Sequence, residues 1–213
     1  MTEDKYNGER VLCFDSFGGK ISMLNGNNSF YKLNEWDRMA LLFCLLNRSF
    51  FQKRIEAEVS PKWKHLIPYV VFRDRDWIFA YERGSSSGES RLANMISIGI
   101  GGHINPIDSV VRESMITTYR NALMREINEE IYIKKPSIDI TGYTPPIIGF
   151  INDNSNDVGK VHFGVVHLYD CANMTIEPKE DCIKNGKFYS KEKIMSEFGD
   201  RIEPWSRMIL ESL

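Results

Sequence analysis

Hydrophobic and polar positions along the chain alternate in two rhythms. Val11–Asp15, Ile67–Phe72, Trp77–Tyr81, Met95–Ile100 and Val161–Tyr169 are short apolar runs bounded by polar or glycine-rich turns, which predicts strands, and Tyr143–Ile151 reads as a turn followed by a strand. Arg73–Asp76 between two of these runs predicts a hairpin turn. The helical rhythm appears in three places. Asn34 is placed to cap a helix running to about Phe51, with Glu35 and Asp37 in its first turn and Met39, Leu42, Phe43, Leu46 and Phe50 on its apolar side. Pro204–Leu213 predicts a closing helix that buries Trp205, Met208, Ile209 and Leu213, after a short helix capped by Ser190. Between them lies Ala122–Ile131, A-L-M-R-E-I-N-E-E-I, where Leu123, Ile127 and Ile131 recur every fourth position as one apolar stripe.

That third helix breaks local rules. Glu126, Glu129 and Glu130 fall side by side on the flank of the stripe. Like charges four residues apart cost roughly 0.2–0.5 kcal/mol per pair. If the helix ends near Ile133, acids in its last turn oppose the macrodipole by about 0.3–1 kcal/mol each. Several local penalties in one place mark a functional site. Three carboxylates at helical spacing suit a hard, oxygen-preferring cation, Mg²⁺ or Mn²⁺. Upstream, Gly101-Gly102-His103-Ile104 closes the strand-like run, and a glycine pair there lets backbone approach a ligand.

Composition narrows the classes. The chain has 213 residues, 42% hydrophobic and 26% charged, which suits a globular protein with a sizeable core. Its net charge of −2 and pI near 6.1 lack the basic field of a dedicated nucleic-acid binder. No apolar run approaches the roughly 18 residues that span a bilayer, and the polar start has no signal-peptide pattern. Cys13, Cys44, Cys171 and Cys182 contain no C-x-x-C pair and read as reduced thiols of a cytoplasmic protein.

The order apolar strand, Gly-Gly, loop, then a helix carrying R-E-Ile-x-E-E resembles the Nudix (MutT-like) hydrolase box: G, five residues, E, seven residues, R-E-U-x-E-E-x-G-U, with U aliphatic. Gly102, Arg125, Glu126, Ile127, Glu129, Glu130 and Ile133 match it. Three departures stand out. Gly102 to Arg125 is 23 positions where the family has 14, an insertion of nine; Thr117 stands at the helix-proximal glutamate, and Tyr132 at the late glycine. Thr118 sits where the family's catalytic helix has its N-cap, so Asn105–Thr117 reads as an enlarged loop, with a short helix from Asp108 as an option. The motifs Leu66–Val71, Ser97–Pro106, Lys160–Gly164 and Gly186–Ser190, in this order, are similar to a subgroup of MutT-like phosphoesterases.

The resemblance implies an α/β (α+β) fold of the Nudix α/β/α sandwich type, with a mixed β-sheet. Residues 66–213 would form the hydrolase domain and 1–65 a strand-helix extension packed on it, or a homodimer surface. It implies metal-dependent hydrolysis of a phosphoanhydride in a nucleoside diphosphate linked to another group. Glu126, Glu129 and Glu130, with the carbonyl of Gly101 or Gly102, would hold Mg²⁺ or Mn²⁺. Glu126 or Glu130 would act as general base, with Glu177, Glu180 and Asp181 as candidates for an additional loop carboxylate. Arg125 points away from the carboxylates on the helical wheel and takes an orienting or salt-bridging role. Arg83 or Arg91 would meet substrate phosphate, since guanidinium forks suit phosphate oxygens, and His103 would contact substrate or water. His162 and His167 read as hydrogen-bonded sheet histidines. The partner is a nucleotide-type small molecule, with no long nucleic acid and no membrane. The departures keep one reading of another class open, a non-catalytic nucleotide sensor.

Overall fold

A computed structural model describes residues 6–16, 29–84, 92–134, 143–172, 174–179 and 181–213. In chain order the elements are β1 (Arg10–Asp15), β2 (Ser29–Tyr31), α1 (Glu35–Asn47), β3 (Phe50–Lys53), α2 (Arg54–Ala57), β4 (Trp63–Asp74), β5 (Trp77–Arg83), β6 (Ile96–Ser97) and β7 (Gly99–Gly101). They continue with a single 3-10 turn at Pro106–Asp108, then α3 (Met115–Glu130), β8 (Ile131–Lys134), β9 (Ile147–Asn152), α4 (Asp157–Val161) and β10 (His162–Asp170). The last are β11 (Thr175–Pro178), β12 (Ile183–Ser190), α5 (Lys191–Phe198) and α6 (Pro204–Ser212). This is the α/β class read from the sequence, a mixed sheet with helices. Among the described residues no helix is long and apolar enough to cross a membrane.

The chain divides into two compact units, each made of several stretches. The first holds Met1–Pro68, Gly102–Leu123 and Ile148–Val166. Its strands follow the order β4-β10-β9-β2, and β1 pairs antiparallel with both β3 and β4 (Leu12↔Phe51, Cys13↔His65). Phe14, Phe150 and Phe163 form its aromatic core; Phe163 meets Phe14 at 5.4 Å and Phe150 at 5.9 Å. Gly149 is needed because a Cβ there would fall 2.4 Å from the Phe30 ring.

The second unit holds Tyr69–Gly101, Met124–Ile147 and His167–Leu213. Its strand order is β12-β5-β4, with β6 on β5 and β7 on β4 (Tyr69↔Gly101, Val71↔Gly99). The expected hairpin forms at Arg73↔Ile78, turning through Arg75 at φ 54°. β8 and β11 pair separately, Ile131↔Pro178 through Lys134↔Thr175.

Four local expectations are corrected. α1 is capped by Asn34, which accepts from the Asp37 N–H, but it stops at Asn47, and Phe50 begins β3. It buries Leu41, Leu42, Leu45 and Leu46 and leaves Met39 and Phe43 exposed. Thr118 is no cap: α3 starts at Met115, and the Ser114 carbonyl accepts the N–H groups of Thr117 and Thr118. No further helix starts at Asp108, which instead accepts the Asn105 N–H in a capping box. α6 buries Ser206, Ile209 and Leu210, with Leu213 exposed and Trp205 and Met208 only half-buried.

Candidate functional site

α3 carries no proline or glycine, and it lays Tyr119, Ala122, Leu123 and Ile127 against the core. The stripe continues straight into β8, where Ile131 is buried. Because β8 begins at the residue after Glu130, the three glutamates occupy the end of the helix, next to its unsatisfied carbonyls. The chain supplies a cation there. The Lys179 N–H donates to the Glu130 carbonyl at 2.8 Å, and its Nζ bonds the Asn128 carbonyl and lies 4.3 Å above the Tyr132 ring. A cation at a helix C-terminus offsets the dipole that the glutamates oppose. Tyr132, at the box's late glycine, thus becomes the platform for that lysine.

Arg125 does not point away from the carboxylates. Its Nη1 donates to Glu126 Oε1 at 2.8 Å and to Glu129 Oε2 at 3.0 Å, holding both from one atom. The i,i+4 reach to Glu129 is the ordinary helical one, and the long guanidinium arm folds back over Glu126. Glu126 is the more sheltered, its side chain 13% exposed against 50% for Glu129. The three carboxylates are not gathered into one tight group of ligand atoms. Among the described residues the only such group is Glu58, His65, His103 and His162.

Beside the helix end in the same unit lies a buried polar network that the sequence did not announce. Glu203 is 2% exposed, and its Oε1 accepts from Tyr69 Oη at 2.7 Å, Ser97 Oγ at 2.7 Å and Ser206 Oγ at 2.9 Å. Ser206 Oγ also accepts the Ile98 N–H. Gly99, across from this network, has no room for a side chain; a Cβ would lie 2.0 Å from the Tyr69 ring. Arg83 completes the set, its Nη1 3.7 Å from Glu203 Oε2. Burial works against its charge, but the Tyr81 hydroxyl, Glu203, Tyr69 and Glu130 outweigh this and hold its pKa above the ordinary arginine value. Burial, chiefly, pushes the Tyr69 and Tyr81 phenols up, so they act as neutral donors. Tyr81 Oη donates to the Gly99 carbonyl at 3.0 Å.

The remaining candidates are dispersed. Gly101 is half-buried at the end of β7, and Gly102 is half-buried in the other unit. Glu177 is engaged by Lys134, and Asp181 is exposed. Arg91 and Glu180 lie outside the described residues. His167 donates through Nδ1–H to the Pro145 carbonyl, 2.7 Å away, the hydrogen-bonded role expected of it. His103 faces His65 and His162. Nothing in the apolar patterning pointed to Glu203 or to this histidine group. Their members are far apart in sequence and only the strand pairing brings them together.

No family model matches the chain. It is 32% identical over 185 residues to protein YmaB of Bacillus subtilis, covering 84% of this chain and 86% of that one. The crystal structure of Tm1382, a candidate Nudix hydrolase, superposes with a TM-score of 0.72 at 25% identity, across 96% of this chain and 97% of that one. The bifunctional NMN adenylyltransferase/ADP ribose pyrophosphatase of Francisella tularensis shares the fold at a TM-score of 0.51 and 16% identity, over 75% of this chain and 43% of that one. A mixed α/β fold, an R-E-x-x-E-E helix end and near-full-length likeness to Tm1382 define a Nudix-hydrolase scaffold. The chain belongs to the Nudix (MutT-like) hydrolase family.

Proposed function

We propose that the chain is a divalent-metal-dependent hydrolase that cleaves the phosphoanhydride bond of a nucleoside diphosphate linked to another group. The observation that carries this reading is the set Glu126, Glu129 and Glu130 on the last turn of α3, with Arg125 holding two of them in place. The donor chemistry suits the ion: carboxylates, with the Gly101 carbonyl as a further oxygen, are the ligands Mg²⁺ or Mn²⁺ prefers. When bound, the ion neutralises charge on the diphosphate oxygens and lowers the pKa of a water. The chain's own part is to position and to move a proton. Arg125 fixes the rotamers of Glu126 and Glu129. Glu126 or Glu130 takes the proton of the attacking water, and the sheltered setting of Glu126 suits that task. Arg91 and Arg83 are the proposed phosphate contacts; Arg83 would share its charge between substrate and Glu203.

The four cysteines are free thiols, in keeping with the reducing cytoplasm. A homodimer is the use this reading gives to the exposed face of α1, where Trp36 and Phe43 are 88% and 70% exposed.

Turnover of a panel of nucleoside diphosphate derivatives (ADP-ribose, dinucleoside polyphosphates, nucleotide sugars, NADH) with Mg²⁺ or Mn²⁺ tests the proposal. We expect hydrolysis of one class, falling about a hundredfold or more in Glu130→Gln. Metal-dependent nucleotide binding without turnover would overturn it in favour of a sensor.

A further inference from the structure

Three of the chain's four histidines meet at one point in the first unit, although they come from β4, from the segment after β7 and from the start of β10. His65 Nδ1 lies 2.9 Å from His103 Nε2, and His162 Nε2 lies 3.3 Å from that same nitrogen. A carboxylate oxygen of Glu58 joins them, and the four ligand atoms all fall within 4.8 Å of one another.

Hydrogen bonding alone does not account for this arrangement. An imidazole nitrogen has a single in-plane position, holding either a proton or a lone pair. His103 Nε2 faces two ring nitrogens and can complement only one of them. His162 is fixed further: its Nδ1 lies 2.7 Å from the Val158 carbonyl, which can only accept, so Nδ1 carries the proton and Nε2 presents a lone pair to the centre. A backbone carbonyl orienting the far nitrogen in this way is the usual support for a metal-binding histidine. His65 has no exposed surface, and it is Nδ1 that faces His103.

The two nitrogen–nitrogen separations lie close to those of a coordination polyhedron. Ligand bonds of about 2.0–2.1 Å in a tetrahedron place neighbouring nitrogens about 3.3–3.4 Å apart. One observed separation matches and the other is a few tenths of an ångström shorter. The walls are built. Lys64, next to His65 and 1% exposed, donates to the carbonyls of Gly159 at 2.6 Å and His162 at 3.1 Å, pinning the chain on both sides of the His162 ring. Glu58, its side chain 8% exposed, is oriented by Arg54 Nε at 3.2 Å.

We propose that His65, His103, His162 and Glu58 form a second metal site, separate from the carboxylates of α3, that takes a borderline transition-metal ion, Zn²⁺ by preference. Three neutral imidazoles and one carboxylate suit Zn²⁺ and suit Mg²⁺ poorly, because Mg²⁺ favours oxygen ligands in an octahedron. With four protein ligands the site is closed, which makes the ion a structural fastener joining α2, β4 and β10 to His103. This moves His103 from substrate contact to metal ligand. The proposal does not rest on the hydrolase reading.

The test uses the full chain made without a histidine tag and stripped of metal. Zn²⁺ binding is followed by competition with a chromophoric chelator, and Co²⁺ binding by the visible bands of a tetrahedral complex. We expect a single tight Zn²⁺ and a tetrahedral Co²⁺ spectrum. His103→Asn, at the half-buried member least able to disturb folding, should weaken Zn²⁺ by about a hundredfold or more, since even supporting residues of such sites are worth 10–100-fold. Circular dichroism of the metal-free variant should match that of the metal-free parent. Should His103→Asn misfold, His162→Gln takes its place with the same readout. A combined Glu126→Gln, Glu129→Gln and Glu130→Gln variant should keep the tight Zn²⁺. Absence of tight Zn²⁺ in the parent, or its loss on changing the α3 glutamates, would overturn the proposal.

Discussion

The buried carboxylate of Glu203 offers a test in which the two oxygens can be told apart. All three hydroxyl donors, Tyr69, Ser97 and Ser206, go to Oε1, while Oε2 faces Arg83 at 3.7 Å. Glu203→Ala removes both functions. It leaves the Arg83 cation, 17% exposed, without its buried counter-charge. At an effective dielectric near 20 the gross attraction at that distance is about 4–5 kcal/mol. Desolvation consumes part of this, and breaking a buried pair by deleting one partner costs about 3–5 kcal/mol in practice. In a chain of this size each kcal/mol lowers Tm by about 2–4 °C, so Glu203→Ala should melt about 6–20 °C below the parent. Glu203→Gln keeps an oxygen for the three hydroxyls and turns an amide towards Arg83, so it loses the ion pair alone and should melt between the two. Differential scanning calorimetry of the three proteins measures the ladder. If Glu203→Ala melts within about 3 °C of the parent, a loss under about 1.5 kcal/mol, the network is not the stabilising core of this unit. If Glu203→Gln is as damaged as Glu203→Ala, the ion pair, and not the hydroxyl cluster, is what matters.

Two further outcomes concern titration and reactivity. Burial, opposed by the charge of Asp153, pushes Lys64 down from 10.5 to about 8, so between those values the unfolded chain holds a proton the folded chain has released. Stability should therefore rise with pH across that window, by at most about 1.4 kcal/mol for each pH unit crossed, and the penalty is complete below it. Urea denaturation at about pH 7 and about pH 10 should show this rise in the parent but not in Lys64→Met, and equal slopes would refute it. Burial, with Glu58 adding, pushes the Cys13 thiol to about 12, and burial does the same at Cys171, whereas Cys44 is exposed. Thiol alkylation read by mass spectrometry should mark Cys44 in the native protein and reach Cys13 and Cys171 only after denaturation; equal native rates would contradict the burial.

What could be read from the sequence follows from what periodicity encodes. The α3 stripe was legible because Leu123, Ile127 and Ile131 recur every fourth position with charged or amide side chains filling most of the places between, and all three are buried. α1 was misread because Met39 and Phe43 are as apolar as Leu41 and Leu45, so the pattern leaves the buried face undetermined. α6 was misread for the opposite reason. Ser206 is drawn inside by hydrogen bonds to Glu203 and Ile98, and a rule that sorts by hydrophobicity places a serine outside. The fold of Arg125 back over Glu126 is a rotamer choice, which no spacing specifies. The histidine group lies beyond any sequence window, with Glu58, His65, His103 and His162 joined only through strand pairing.

The tie between α6 and its strands has a practical side for anyone who cuts or fuses this chain. Ser206 supplies a hydroxyl to a carboxylate and accepts a strand N–H, Trp205 packs edge-on against Tyr69 at 5.7 Å, and Ile202 bridges Ile96. A nick or deletion before Pro204 would strip Tyr69 and Ser97 of a neighbour and open the floor beneath Gly99. Residues 202–210 behave as an inner strut, and a library or a tag boundary should be drawn beyond Ser212 and never within it.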